Sequence, residues 1–165
     1  MRTLLVFSVL LAAVWADPSG FSFSPAVGSG SGTSYTLSGE GRITAVRLWD
    51  SGSYIIGLRV RYGFAWLQLA GNTGGIEQEF ELFDGEFIVQ VSGKFSTYIQ
   101  SLLIVTNRGR SIIAGQPSGT TFNMYPTHPM AELRFLSGRY NGAGITSIAT
   151  HWAILPNMAV NGTSD

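Results

Sequence analysis

Apolar and polar positions alternate along most of the chain with the two-residue period of a β-strand. Runs rich in β-branched and aromatic residues recur between glycines, and no window keeps the i, i+3, i+4 apolar spacing of a capped amphipathic helix. The pattern predicts an all-β protein of roughly a dozen short strands. These strands are predicted at residues 21–24, 33–37, 43–48, 54–62, 65–70, 76–83, 87–92, 99–106, 110–114, 120–125, 132–137 and 145–155.

A longer repeat overlies this alternation. Three times a Ser-Gly pair precedes a short loop and then Ile, any residue, Ala or Ser, and an aliphatic residue at the start of an apolar strand. The pairs lie at residues 38–39, 92–93 and 137–138, which are 54 and then 45 residues apart. Repeats of this size usually pack copies of one supersecondary unit around a shared core, with similar loops at one end. The spacing therefore predicts a three-fold all-β architecture.

The stretch at residues 76–82 has the clearest strand alternation. Carboxylates at i, i+2 and i+4 are spread over about 13 Å of strand, too far apart to converge on one calcium ion unaided. We interpret them as a solvated face that discourages pairing at a sheet edge. The acidic side is Glu77, Glu79 and Glu81, and the predicted inward side is Ile76, Phe80 and Leu82.

The first residues have the layout of a secretory signal peptide. Arg2 precedes an apolar run at 4–14 and small residues before Ala16. We predict a signal peptide at residues 1–16, one domain at 17–156 and a polar tail at 157–165. Asn161 begins a sequon in that tail, which either carries a glycan or is an unused sequon.

Composition narrows the classes of function. The chain has 165 residues and no cysteine, so its core must hold it without disulfides, and thiol catalysis and thiolate metal sites are excluded. Ten Lys and Arg residues balance ten Asp and Glu residues, which gives a formal net charge of zero. We therefore expect no nucleic acid partner, and beyond the signal peptide no stretch is long enough for membrane insertion. The oligomeric state stays open.

No catalytic constellation stands out. The histidines are His128, between two prolines, and His151, inside an apolar strand; both are predicted to pack or to form hydrogen bonds. There is no Gly-x-Ser-x-Gly elbow, zinc-protease motif or phosphate-binding loop. The sequence favours a protein that is not an enzyme and that needs no metal or cofactor.

Glycine-rich loops and many separate motifs, in one order, indicate a family. The region from 28 to 155 resembles the jacalin-related lectins, most closely the animal zymogen granule protein 16 group. The glycine-rich loop at 28–32 matches, and a Gly-x-x-x-Thr stretch at 142–146 keeps the spacing of a Gly-x-x-x-Asp motif of that family. The other matching stretches are 43–47, 56–63, 89–94, 119–123, 128–129, 133–139 and 151–152.

The resemblance implies a β-prism of three four-stranded Greek-key sheets with pseudo-three-fold symmetry. It implies that one sheet unites both termini and brings the loop at 28–32 beside the loop at 139–146. Mannose-type sugars are bound between these loops in that family, and the loop after 92–93 shapes specificity. The carbohydrate-binding residues expected from this match are Gly30, Ser31, Gly32, Lys94, Phe95, Gly142, Ala143, Gly144, Ile145 and Thr146.

The sequence departs from the family where a ligand would bind. Thr146 occupies the position of the family's aspartate, and a neutral hydroxyl is a weaker partner for sugar hydroxyls than an ionised carboxylate. Tyr140 lies in a loop one residue longer; it is predicted either to stack on a sugar or to face solvent as a turn residue. Lys94 is the only lysine, so weak or no binding of sulfated polysaccharide is expected.

Two functions follow from this sequence. The first is a secreted lectin that binds mannose-type or related glycans or glycoproteins, and the second is a prism that has lost sugar binding and serves as a protein-interaction or matrix component.

Overall fold

The computed structural model describes residues 20–155. The predicted signal peptide and the sequon at Asn161 lie outside the described residues. Within the described part, no helix is long and apolar enough to cross a membrane.

Residues 20–155 form thirteen β-strands and no helix, which confirms the all-β prediction. In chain order the strands are β1 (Phe21–Gly28), β2 (Thr33–Leu37), β3 (Ile43–Asp50), β4 (Ile55–Tyr62), β5 (Ala65–Trp66), β6 (Ala70–Gly71), β7 (Ile76–Glu81), β8 (Ile88–Phe95), β9 (Ile99–Thr106), β10 (Ser111–Gly115), β11 (Thr120–Met124), β12 (Glu132–Tyr140) and β13 (Ile145–Ala153).

The strands make three antiparallel sheets, each built on a central hairpin. The first sheet has the order β1-β13-β12-β2 and unites the first and last strands of the described chain. The second has the order β10-β9-β8-β11, and the third has β5-β4-β3-β7 with β6 also paired to β4. The hairpin strands β4, β9 and β13 contact one another across the sheets. This arrangement confirms the β-prism.

One continuous core fills the space between the sheets. Side chains from all three hairpins reach it, and Leu48, Leu58, Leu102, Ile104 and Ile148 have no exposed surface. Trp152, near the end of β13, belongs to the same core and is also fully buried. A core of this kind stabilises a chain without disulfides, because the burial of each large apolar side chain is worth about 1.5–3 kcal/mol.

The three-fold arrangement is confirmed, but the predicted Ser-Gly repeat is not fully equivalent. The pairs at 92–93 and 137–138 lie in the first strand of a central hairpin, whereas the pair at 38–39 lies between two sheets. A different glycine set follows the symmetry. Gly28, Gly71 and Gly115 each end an edge strand with a positive φ angle, at 108°, 88° and 84°. In each an added Cβ would collide with a carbonyl oxygen of the hairpin strand alongside.

Two predicted elements need correction. The strand predicted at 65–70 is interrupted and forms the short strands β5 and β6. Ile76 was predicted to point inward, but its side chain is 67% exposed, because the edge strand β7 begins at the rim of the sheet. The face with Glu77 and Glu81 is indeed at a sheet edge, where Arg47 of the adjacent strand β3 and Arg61 of β4 form ion pairs with those carboxylates at 3.1 and 2.6 Å.

Both histidines have the roles predicted for them. The Nδ1 atom of His128 accepts a hydrogen bond of 3.1 Å from the amide of Met130. The ring of His151 stacks on Phe135 with centroids 4.0 Å apart and forms a 2.9 Å hydrogen bond with the Ser137 hydroxyl. The ring of His151 therefore has a packing role on the outer surface of the first sheet.

Because neighbouring strands are antiparallel, the chain connections lie at two ends of the prism. The loops at 28–32, 96–98 and 141–144 lie at one end, called here the glycine-loop end. The turns at 63–64 and 82–87 lie at the opposite end.

Candidate functional site

The glycine-rich loop and the start of β13 are held together at the glycine-loop end. The amide of Gly30 donates to the carbonyl oxygen of Thr146 at 3.3 Å. The Thr146 hydroxyl donates in turn to the carbonyl oxygen of Ser31 at 2.6 Å. On the other side of the loop, Arg139 donates to the carbonyl oxygen of Gly32 at 2.7 Å. These bonds place residues 28–32 directly beside 139–146.

Glycine is required at both ends of this loop. Gly28 and Gly32 have φ angles of 108° and 90°, in the region that side chains with a Cβ rarely adopt. A Cβ on Gly28 would overlap the carbonyl oxygen of Thr146, and one on Gly32 would overlap that of Tyr140. The loop can approach the neighbouring backbone this closely only because both residues lack a side chain.

Asn141 fixes the second loop by bonds to its own backbone. Its Oδ1 accepts from the amides of Ala143 and Gly144 at 2.9 and 3.2 Å, and its amide donates to the Gly144 carbonyl. Asn72 donates to the carbonyl oxygen of Gly142 at 3.3 Å. Gly142 lies at the tip, where a Cβ would have no atom within 4 Å. The tip is therefore ordered by its neighbours and open to solvent.

The third loop reaches the site through Thr97 and Tyr98. The Ser29 hydroxyl donates to the carbonyl oxygen of Thr97 at 2.7 Å, and Asn141 donates to the Tyr98 hydroxyl at 3.3 Å. Tyr98 stacks on Tyr54, from the β3–β4 hairpin, with centroids 4.5 Å apart and an angle of 16° between the rings. This aromatic pair forms a wall beside the tip at Gly142.

Sequence reasoning missed this wall and its neighbours. Tyr54 and Asn72 belong to another sheet than the two loops and precede the tip by many residues. Tyr98 was inside the predicted specificity loop, but no pattern set it apart from its neighbours. The signal available in the sequence was the presence of polar and aromatic residues at three hairpin tips, which the three-fold fold brings to one end.

Several residues expected at the site have other surroundings. The Nζ atom of Lys94 donates to the Thr121 hydroxyl at 2.9 Å within the second sheet. Phe95 packs on the core beside Phe122, with ring centroids 6.2 Å apart. Ile145 is a fully buried core residue. The structure thus brings Gly30, Ser31, Gly32 and residues 142–144 together, while the side chains of Lys94, Phe95 and Ile145 serve the sheets.

Thr146 and Tyr140 are also committed to internal contacts. Thr146 has 0% exposure and its hydroxyl is bound by Ser31, so that hydroxyl is not presented to solvent. Tyr140 was predicted to stack on a sugar or to face solvent as a turn residue. Instead it lies at the end of β12, half-buried against the core, with its ring 6.4 Å from that of Tyr35.

The groups left over are hydrogen-bond donors, and apart from the exposed guanidinium of Arg139 they are uncharged. Within residues 20–155, the amides of Ser31 and Gly142 have no hydrogen-bond acceptor. The loops at 28–32, 96–98 and 139–146 contain no carboxylate. No group of three or more His, Asp or Glu residues in the described part is placed to hold a metal ion. Open backbone amides beside an aromatic wall suit a neutral ligand that carries several hydroxyl groups.

Comparison with known proteins identifies the family of this chain. The family model of the jacalin-like lectin domain matches residues 24–151. The chain belongs to the jacalin-like lectin family. Zymogen granule membrane protein 16 of Homo sapiens is 41% identical to it over 158 residues, which cover 90% of this chain and 94% of that protein. The resemblance found in the sequence is thereby confirmed.

Solved structures of jacalin-like lectins have the same fold. A prostate-specific WGA16 glycoprotein lectin superposes with a TM-score of 0.73 at 29% identity, over 82% of this chain and 100% of that one. Artocarpin complexed with Me-alpha-mannose superposes with a TM-score of 0.69 at 21% identity, over 82% of this chain and 99% of that one. At that lower identity the likeness concerns the fold alone.

Proposed function

We propose that this protein is a non-enzymatic lectin that binds mannose-type or related glycans at the glycine-loop end. The observation that carries the proposal is the pair of open amides, at Ser31 and Gly142, on two ordered loops that lie side by side. The Tyr54–Tyr98 wall beside them supplies an apolar surface for the ring of a sugar. The artocarpin structure contains Me-alpha-mannose, which supports a mannose-type ligand for this fold.

Affinity for a single sugar is expected to be low. An ionised aspartate at position 146 would accept charge-assisted hydrogen bonds from sugar hydroxyls, and each bond of that type is worth about 1.5–3 kcal/mol. The buried Thr146 offers none of them, because its hydroxyl is bound to Ser31. Binding then depends on backbone amides and on several sugars in one glycan.

A glycan array of the chain tests the proposal, with Gly142→Trp as the variant that blocks the site. A side chain can be added at Gly142 without backbone strain, because a Cβ there meets nothing within 4 Å and the φ angle is not in the left-handed region. We expect wild type to bind a defined set of glycans and Gly142→Trp to lose that binding at unchanged thermal stability. Thr127→Trp, at an exposed position of the opposite end, is the matched control.

A second function is favoured by one observation: the hydroxyl of Thr146 is already bonded to the carbonyl oxygen of Ser31. The prism would then be a protein-interaction or matrix component whose sugar site has been lost. The variant Thr146→Asp separates the two. If wild type binds no glycan on the array and Thr146→Asp gains mannose binding, the lectin proposal is wrong and the second function replaces it.

We also propose that the chain is secreted, by way of granules. The signal peptide predicted at residues 1–16 supports this, and the name of the human relative refers to a granule membrane. When the full chain is expressed in cultured secretory cells, the protein recovered from the culture medium should begin at Asp17. A shift in mass after glycosidase treatment, absent in Asn161→Gln, would demonstrate a glycan at the sequon. Retention of the chain in the cytosol would refute secretion.

A further inference from the structure

The opposite end of the prism carries a cleft that the proposed site does not use. Its volume is about 350 Å³, within the range of small-molecule sites, which begins near 300 Å³. The β4–β5 turn, the β7–β8 turn and the beginning of β3 form its walls. The lining residues that matter for the argument are Arg42, Thr44, Arg61, Phe64, Phe83 and Asp84.

Two phenylalanine rings flank the cleft without being buried. Phe64 is fully exposed, at 103%, and Phe83 is 58% exposed. The guanidinium of Arg110 lies 4.2 Å from the centre of the Phe83 ring and covers it on one side. Large apolar side chains exposed beside a cavity mark surfaces that bind a ligand or partner, because their exposure is unfavourable for the free protein.

The turn that holds Phe83 is fixed by the buried carboxylate of Glu86. That carboxylate accepts hydrogen bonds from the Phe83 amide at 2.9 Å, from Thr106 at 2.6 Å and from Arg110 at 2.6 Å. The amide of Glu86 donates back to the carbonyl oxygen of Phe83 at 2.9 Å. Phe83 and Asp84 are therefore held in place before any ligand arrives, which lowers the ordering cost of binding.

The polar groups of the cleft include both acceptors and donors. Asp84 makes no ion pair within residues 20–155, and the terminal nitrogens of Arg42 make no hydrogen bond there. A carboxylate only accepts hydrogen bonds and a guanidinium only donates them, so a ligand that satisfies both must do both. Hydroxyl groups have this property. The other charged residues of the lining already have partners: Arg42 pairs with Glu132, Arg61 with Glu81 and Glu86 with Arg110. Within residues 20–155, Asp84 is thus the lining charge that no ion pair compensates.

We propose that this cleft binds one neutral pyranose residue. Its ring would stack on Phe64 or Phe83, and its hydroxyls would bond to Asp84 and Arg42. The uncompensated carboxylate of Asp84 disfavours an acidic sugar or a phosphate by like-charge repulsion. The site lies at the end of the prism away from the glycine loop, so a single chain with both sites is bivalent. The inference does not depend on the proposed function, since it uses none of the same residues.

Backbone-amide NMR of the isotope-labelled chain from Asp17 onward tests the site. The probes are the methyl glycosides of mannose, glucose, galactose and N-acetylglucosamine, each titrated into the millimolar range. We expect at least one to shift the amide signals of Gly63, Phe64, Asp84 and Gly85 in a saturable way. The variants Phe64→Ser and Asp84→Asn should each weaken that binding at least ten-fold.

Matched controls separate this site from the one at the glycine loop. Phe23→Ser removes another exposed phenylalanine and Glu40→Gln another exposed carboxylate, and both should leave the shifts unchanged. Gly142→Trp should also leave them unchanged, even if it abolishes glycan binding at the other end. The proposal is overturned if none of the four glycosides shifts these amides, or if the shifts persist in Phe64→Ser and Asp84→Asn.

Discussion

The two ends of the prism hold their loops by different means. At the glycine-loop end, neutral hydrogen bonds between backbone and hydroxyl groups join Thr146 to Ser31 and Ser29 to Thr97. At the opposite end, buried carboxylates are paired with arginines, as in Glu86 with Arg110. Neutral bonds leave backbone amides open to a ligand, whereas an ion pair with a buried carboxylate locks a turn in one conformation. This difference predicts that substitutions at the two ends will lower the free energy of unfolding by different amounts.

The largest effect is expected where the glycine loop touches the neighbouring backbone. Gly28→Ala should lower the free energy of unfolding by about 3 kcal/mol, because the added Cβ overlaps the Thr146 carbonyl and φ stays positive. Gly41→Ala is the control: its φ is 78° but its Cβ would have no atom within 4 Å. It should cost only about 1 kcal/mol, for backbone strain alone. Equal losses in urea unfolding would contradict the assigned overlap.

At the opposite end, Glu86→Gln should cost about 2–3 kcal/mol of unfolding free energy. Breaking a buried ion pair costs roughly 3–5 kcal/mol, and the value here is lower because Arg110 is partly exposed to water. Asp84→Asn, in the same turn but without an ion pair, should change stability by less than about 0.5 kcal/mol. Chemical denaturation of both variants measures the contrast, and a large loss in Asp84→Asn would refute it.

The same carboxylate should make the acid stability of the protein depend on one residue. Burial by itself raises the pKa of Glu86, but the hydrogen bonds from Thr106, Phe83 and Arg110, with the charge of Arg110, outweigh burial and hold this pKa below its usual value. A lowered pKa stabilises the fold at pH above the unfolded value of about 4.3, and the gain is lost as the pH falls through the folded pKa.

The midpoint temperature of thermal unfolding should therefore fall less steeply between neutral pH and pH 3 in Glu86→Gln than in wild type. Parallel curves for the two proteins would mean that other carboxylates control the acid transition.

The smallest effect is expected from the neutral bond at the glycine-loop end. Thr146→Val removes the hydroxyl that binds the Ser31 carbonyl and should cost about 1 kcal/mol. Thr146→Ser keeps the hydroxyl and loses a methyl group, so it serves as the control. Amide hydrogen exchange should report faster exchange at Gly30 in Thr146→Val alone. Faster exchange in both variants would point to lost packing in place of the lost hydrogen bond.

The sequence predicted the architecture well because its signals are local. Alternation within each strand requires only neighbouring residues, and it located nearly all strands of the three sheets. It failed for Ile76 and for the stretch at 65–70, because edge strands are shortened and exposed by their place in a sheet, which alternation does not encode.

The candidate site was predicted in part, by resemblance. The two loops at 28–32 and 139–146 lie together as expected, because the first and last strands of the described chain share a sheet. The role of the threonine hydroxyl was not predictable. Whether Thr146 faces a ligand or a carbonyl depends on the path of a loop 115 residues earlier in the chain.

By itself, then, the sequence determined an all-β prism of the jacalin-like type and indicated the loops of the candidate site. Tertiary structure alone decided three further points: that Thr146 is committed to Ser31, that Tyr54 stacks on Tyr98, and that Phe64 and Phe83 flank one cleft. The physical reason is the same for each. Each contact joins residues that are far apart in the chain, and they meet only through the pairing of strands within a sheet or, for Tyr54 and Tyr98, through the packing of one sheet against another.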